Sequence, residues 1–401
     1  MTAVAVTGIG AIAPNGQGTE EYWKATLAGR SGIGPLRRFD ASGYPAKLAG
    51  EIDLDPAEHL PSRLVPQTDH MTRLSLIAAQ WALDDAGVQP QDLPDFGAGV
   101  ITASSAGGFE FGQRELENLW REGPKYVSAY QSYAWFYAVN SGQISIRHGM
   151  RGPSGVVVSD QAGGLDALAQ SRRQIRKGTQ LVVSGGVDGS LCPWGWVAQM
   201  AGDRMSTSED PERAYLPFDA RASGHVPGEG GAHLVVEDVA AARERGARIH
   251  GLIAGYGSTM DPRPGSGREP GLRRALTLAL EDAQVRPDEV DVVFADGAAV
   301  PELDRIEADA INEVFGRGGV PVTAPKTMTG RLTAGAAALD VATALLAVRD
   351  GVIPPTLHVD DAAAYGIDLV TGQPRQAAVR TAVVLARGHG GFNSAVVVRA
   401  A

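Results

Sequence analysis

The chain has 401 residues, 44% of them hydrophobic and 20% charged, ordinary usage for a globular protein long enough to bury an extensive core as two average domains or one large unit. Its formal net charge of -10 lacks the basic field that nucleic acid or an anionic membrane surface demands, which leaves small molecules and other proteins as partners. The only cysteine, Cys192, excludes an intrachain disulfide and a cysteine-based zinc site, consistent with a cytoplasmic protein.

The opening segment Met1-Thr2-Ala3-Val4-Ala5-Val6-Thr7-Gly8 has neither the positive start nor the apolar length of a signal sequence and predicts a strand entering a turn. Further short apolar runs fall at 99–102, 156–158, 181–184, 233–237, 290–295, 381–386 and 395–399, alternating with longer helical patterns. That alternation defines an α/β class with buried strands. No run reaches the length of a transmembrane helix, since residues 334–348 are interrupted by Asp340.

One pattern occurs twice. Leu74, Ile77, Ala78, Trp81 and Ala82 form an apolar helical stripe, and Leu272, Ala275, Leu276, Ala279 and Leu280 form another at matching spacing. Each helix exits through similar text, with Ala82-Leu83 against Ala279-Leu280, Asp85-Ala86 against Asp282-Ala283, and Val88 and Pro90 against Val285 and Pro287. A predicted strand follows each. The repeat predicts two halves of one topology, divided near 240–251, and without a flexible linker between them they pack as one body.

Residues 156–168 read as strand, tight turn and helix, with Gln161 at the tip and Ala162, Gly163 and Gly164 behind it. Small residues let the helix approach the sheet, so its free N–H groups and positive dipole end face the tip side chain. A cysteine there would be activated as a thiolate. An amide cannot be a nucleophile.

This segment resembles the nucleophile elbow of β-ketoacyl synthases, with Gln161 in the cysteine position. Pro217-Phe218-Asp219 with Gly228-Glu229-Gly230-Gly231, then Lys326-Thr327-Met328-Thr329-Gly330-Arg331, then Gly351-Val352-Ile353-Pro354-Pro355-Thr356 resemble further segments of the family in the same order. The resemblance spans essentially the whole chain. It implies a thiolase-like α/β fold, with two topologically related halves, residues 1–245 and 246–401, forming a layered α-β-α-β-α sandwich. It also places Asp296 and Arg331 where the family carries its two catalytic histidines, and three independent substitutions then describe a disarmed site. The eight histidines of the chain, His225 and His389 among them, fall at none of those positions and are read as structural or surface groups, although His389 lies in the segment where the family carries gating phenylalanines.

Glutamine at the elbow resembles in particular the chain length factor, or ketosynthase β, of type II aromatic polyketide systems, as do residues 132–150 and Pro193-Trp194-Gly195-Trp196. That resemblance implies a heterodimer with a catalytic ketosynthase α. Substrates would arrive on the phosphopantetheine of an acyl carrier protein, with no metal or other cofactor held by this chain. It further implies a tunnel for the growing poly-β-ketone, closed by a helix on which Phe109, Gly112 and Leu116 share one face. Gly112 is expected to leave an open notch and Leu116 is smaller than phenylalanine, predicting a long product, a decaketide rather than an octaketide. Tyr133 and Trp194 are further candidates for the tunnel wall.

The family proposal for the elbow glutamine is that its amide assists malonyl decarboxylation to an acetyl primer. The plain alternative is an amide filling a vestigial pocket, and Asp296, a negative charge where negative charge would develop, favours the second. Arg172, Arg173, Arg176 and Lys177 read as a solvated helix face. The competing class is an autonomous enzyme, either a malonyl-carrier-protein decarboxylase or a diverged thiolase-like enzyme with relocated residues.

Overall fold

The computed structural model describes residues 3–263 and 265–401, so Met1 and Thr2 of the opening segment lie outside the described residues. The first half contributes strands Val4–Ala13, Ala98–Ala103, Ser154–Val157, Leu181–Asp188 and Gly230–Asp238. The second contributes Gly251–Met260, Val292–Phe294, Pro321–Thr323, Thr381–Gly388 and Phe392–Arg399. Taken in order within each half, the strands lie first, fifth, fourth, second, third across the sheet, the first three antiparallel to their neighbours and the last three parallel. The two halves therefore share one topology. Among the described residues their sheets meet through two residue pairs, Ala5 with Leu252 and Val6 with Gly251.

Helices fill three layers around these sheets. Gly163–Arg176 and Ala336–Asp350 lie between the halves and touch strands of both. The second of these is buried along nearly its whole length, which explains why its sequence is apolar all round rather than amphipathic. His70–Ala86 covers the outer face of the first half and Leu272–Ala283 that of the second. The predicted stripes are their buried faces, with Trp81 half-buried at the edge. Among the described residues no helix is long and apolar enough to cross a membrane.

The repeat has a steric cause that the sequence pattern alone does not reveal. In the first strand of the first half, Gly8 and Gly10 lie against the backbone of Ala82 and Ala78; in the first strand of the second, Gly255 and Gly257 lie against Ala279 and Ala275. Any Cβ at these glycines would collide with a helix carbonyl. Glycine in the strand and alanine in the helix bring each outer helix down onto its sheet. The predicted run at 156–158 ends as a strand at Val157, and Val158 is exposed. Its strand is the last of the sheet at that end. Gly257→Ala is expected to destabilise the chain by about 1–3 kcal/mol, as overpacking against rigid backbone does, with chemical denaturation as the measurement.

Candidate functional site

After strand Ser154–Val157 the chain turns through Asp160–Ala162 into helix Gly163–Arg176. Asp160 sits at φ 51, in the left-handed region that costs a non-glycine residue about 1 kcal/mol or more. Its carboxylate accepts the His389 N–H at 2.8 Å, and Gly388 packs so closely on Ser159 that a Cβ there would clash with its carbonyl. The strained turn is thus held from the second half, and it delivers Gln161 into a cavity of about 460 Å³ lined also by Asp296, Arg331, Thr333, His225 and Arg387. The structure brings together the three residues read from sequence as the disarmed site.

None of the three is free. Gln161 is buried, and its amide is assigned by its surroundings, since only with the nitrogen toward the Thr333 carbonyl (3.1 Å) and the oxygen toward the Thr333 N–H (3.2 Å) are both groups satisfied. Arg331 bonds both oxygens of the Asp296 carboxylate through Nη2 (3.0 and 2.7 Å) and the Asp296 carbonyl through Nη1 (3.1 Å). The Arg387 N–H supplies a further donor to Asp296 at 3.0 Å. Burial opposes ionisation of Asp296, but the charges of Arg331 and Lys326 overcome it and hold the carboxyl below its usual range. Burial likewise works against the Arg331 charge, and Asp296 outweighs it and raises the guanidinium pKa. Asp296 and Arg331, read from sequence as two independent substitutions, are the two members of one buried ion pair. Asp296 does not present a bare negative charge to the cavity.

The surrounding polar groups are also committed. Lys326 pairs with Asp340 at 2.7 Å and donates to the Ala295 carbonyl. Glu307 accepts the N–H groups of Asp296 (2.6 Å) and Gly297 (2.9 Å), fixing the loop that carries Asp296. His225, read from sequence as a structural or surface group, lines the cavity, and burial together with the Arg331 charge pushes its imidazole down to about 3, leaving it neutral. Thr333 was also missed. Nothing in local spacing marks His225, whereas Thr333 stands two residues beyond Arg331 and its positive φ of 47 is a tertiary feature. The one thiol is elsewhere: Cys192 is buried as the cap of helix Pro193–Met200, and burial pushes it up to about 11, so it is no relocated nucleophile. The cavity can bind a polar group; among the described residues that line it there is no thiol.

The candidate gate lies apart from this cavity. Helix Phe109–Glu122 carries Phe109, stacked on Trp194 with ring centres 4.5 Å apart. The notch expected at Gly112 is bounded by side chains, since a Cβ there would sit in ordinary contact with the Trp194 ring at 3.4 Å and Trp135 at 3.5 Å. Leu116 is exposed and lines, with Trp194 and Trp120, a shallow apolar depression on the surface. Tyr133 is half-buried and stacks edgewise on Tyr130 rather than on these residues. Of the five, Phe109, Gly112, Leu116 and Trp194 converge. They do not enclose a tunnel within this chain.

The chain matches the family model of the beta-ketoacyl synthase N-terminal domain over residues 1–242 and that of the C-terminal domain over 250–360, and it belongs to the beta-ketoacyl synthase family. It is 62% identical over 400 residues, 99% of this chain and 98% of the relative, to the tetracenomycin polyketide synthase ketoacyl synthase beta subunit of Streptomyces glaucescens. Among solved structures it is similar to the ishigamide ketosynthase/chain length factor, with a TM-score of 0.89, 29% identity and coverage of 100% of this chain and 99% of that one. A type II polyketide synthase acyl-carrier protein in complex with its ketosynthase bound to the hexaketide gives the same TM-score at 25% identity, covering 100% of each chain.

Removing one member of the buried pair strands the other. Arg331→Met is expected to cost about 3–5 kcal/mol, and Asp296→Leu/Arg331→Met to recover at least half of that, measured by a double-mutant denaturation cycle. Asp304, buried beside this loop, accepts the Phe218 and Ala299 N–H groups, yet burial, reinforced by the Asp296 charge, pushes it up to about 7. The folded chain then holds this proton more tightly than the unfolded one, so the contribution is full below the ordinary carboxyl range near ~4 and lost as pH rises through 7. The stability margin of the native chain over Asp304→Asn is expected to be larger at pH 5 than at pH 8 in the same assay.

Proposed function

We propose that this chain is the non-condensing chain length factor of a minimal type II polyketide synthase: it pairs with a catalytic ketosynthase α in the cytoplasm, receives substrates carried on an acyl carrier protein, and shapes the cavity that limits poly-β-ketone length. The observation that carries the reading is the occupied elbow. Where a condensing enzyme of this family needs a thiolate and two imidazoles, this chain has an amide bonded to Thr333 and an ion pair. The same closure weighs against an autonomous decarboxylase or a thiolase-like enzyme, and against priming by Gln161, whose amide is spent on backbone.

The partner is supported by the surface. Trp120 is 82% exposed, and Leu116, Trp194, Trp135, Phe136 and Tyr137 continue from it as one exposed apolar tract. A tract of this kind marks an interface. Strand Ser154–Val157 leaves an unpaired sheet edge, the second feature that asks for a covering chain. The gate residues form part of the tract, so the tunnel wall would be completed by the partner. The proposed product is a decaketide, resting on the small Leu116 side chain and on Gly112, where side chains of Trp194, Trp135 and Gln131 rather than backbone border the space that a larger residue would take. The proposed halves, 1–245 and 246–401, divide where the charged helix Val239–Glu244 leads into strand Gly251–Met260.

Co-expression with ketosynthase α and a carrier protein is expected to yield a heterodimer that makes a decaketide, and Leu116→Phe to shorten it by at least one two-carbon unit, read by mass spectrometry. Unchanged length in both Leu116→Phe and Gly112→Leu would sink the gating role. Gln161→Ala in the intact heterodimer is expected to leave malonyl-carrier decarboxylation within about twofold; a loss of tenfold or more, ~1.4 kcal/mol in barrier, would restore a priming role.

A further inference from the structure

Helix Phe109–Glu122 begins without a cap of its own. Its N-cap residue is Gly108, which has no side chain to accept the free N–H groups of the first turn. The Phe109 N–H turns back to the Gly107 carbonyl at 3.0 Å, and the Phe111 N–H donates at 2.8 Å to Asp69 Oδ2. Asp69 is the N-cap of another helix, His70–Ala86, where its Oδ1 accepts the Met71 N–H at 2.9 Å. One carboxylate, 3% exposed, thus holds the first turns of two helices: the core helix packed on the strand glycines, and the helix that bears Phe109, Gly112 and Leu116.

We propose that Asp69 is the positioning residue of the chain-length gate, fixing the gate helix along its axis relative to the core. The inference rests on the gating role of that helix. Its physical basis is geometric. An N-cap acceptor normally comes from the residue next to the helix, and the energy of such a cap is about 1 kcal/mol. Here the acceptor comes from the core, so the cap also sets distance. The other polar ties of the helix run from Arg38 to Glu110 at 3.5 Å, from the Trp194 N–H to Gln113 at 2.8 Å, and from the Ser128 N–H to Glu115 at 2.6 Å, and the Phe111 side chain is buried beneath it. Asp69 alone of these connects it to a helix buried against the sheet. Burial and the neighbouring Glu110 charge push Asp69 up to about 6, so the clamp is ionised at neutral pH and acts as a charged acceptor at two positive helix ends.

The test separates the two bonds. Asp69→Ser keeps a short side-chain oxygen that caps Met71 locally and no longer reaches Phe111. In the heterodimer with ketosynthase α, the Phe111 amide is expected to lose at least tenfold in hydrogen-exchange protection while the amides of His70–Ala86 keep theirs. With the carrier protein added, the product is expected to spread over at least two chain lengths, with total polyketide within about twofold. Asp69→Asn, which retains the shape and one acceptor, is expected to fall between. Wild-type protection at Phe111 would overturn the inference, as would a single unchanged product length despite lost protection, or failure to pair with ketosynthase α, since the damage should be confined to the gate. Leu116→Phe runs beside it: if that variant shifts length and Asp69→Ser does not, the positioning role alone fails; if neither does, the gating role fails as well.

Discussion

The buried pair between Asp296 and Arg331 is the interaction on which the site depends. Arg331 belongs to the second half, yet its backbone N–H donates to the Val226 carbonyl and its carbonyl accepts the Gly228 N–H, both in the first half. Its guanidinium then crosses to Asp296 and to the Arg387 carbonyl. Two charges removed from water cost more than they return unless every lone pair and proton is met. Here the Arg387 N–H donates to Asp296 and the Arg387 carbonyl accepts from Arg331, while Glu307 holds the Asp296 backbone N–H and the Lys326 charge favours the carboxylate. The cavity has become a place where polar groups satisfy one another.

That conversion accounts for what the site does not do. Nucleophilic acyl transfer needs a group held ready but unpaired, and oxyanion stabilisation needs donors aimed at empty space. Gln161 spends its amide on Thr333 and Arg331 its donors on Asp296. The elbow keeps its strained turn and its small-residue helix, both costly features that serve a thiolate in a condensing enzyme. In this chain they position an amide that joins the two halves.

The proposed gating role falls to the surface, where helix Phe109–Glu122 presents aromatic and aliphatic side chains outward while Phe111 and Glu115 anchor it inward. Trp194 lies in the space above Gly112 and against Phe109, so the gate is a packed aromatic assembly rather than an opening. An exposed assembly of this kind is what the proposed partner chain would cover. The core holds it in place, and the partner is what would turn a depression into a tunnel.

The strands, the helices and the doubled topology were legible in the sequence because they depend on short-range periodicity and on composition at turns. That Gln161, Asp296 and Arg331 belong to one site was expected from the order of segments along the chain, and the three do line one cavity. The pairing of Asp296 with Arg331 was not, and reading the two as separate losses was the result. Neither was the bond from Gln161 to Thr333, nor the placement of Trp194 beside Gly112. Each joins residues that meet only after the two sheets have closed on the central helices, and whether a charge is bare or a notch open depends on what the other half of the molecule brings to it. The sequence determined which groups are present; the tertiary structure decided which of them remain free to act.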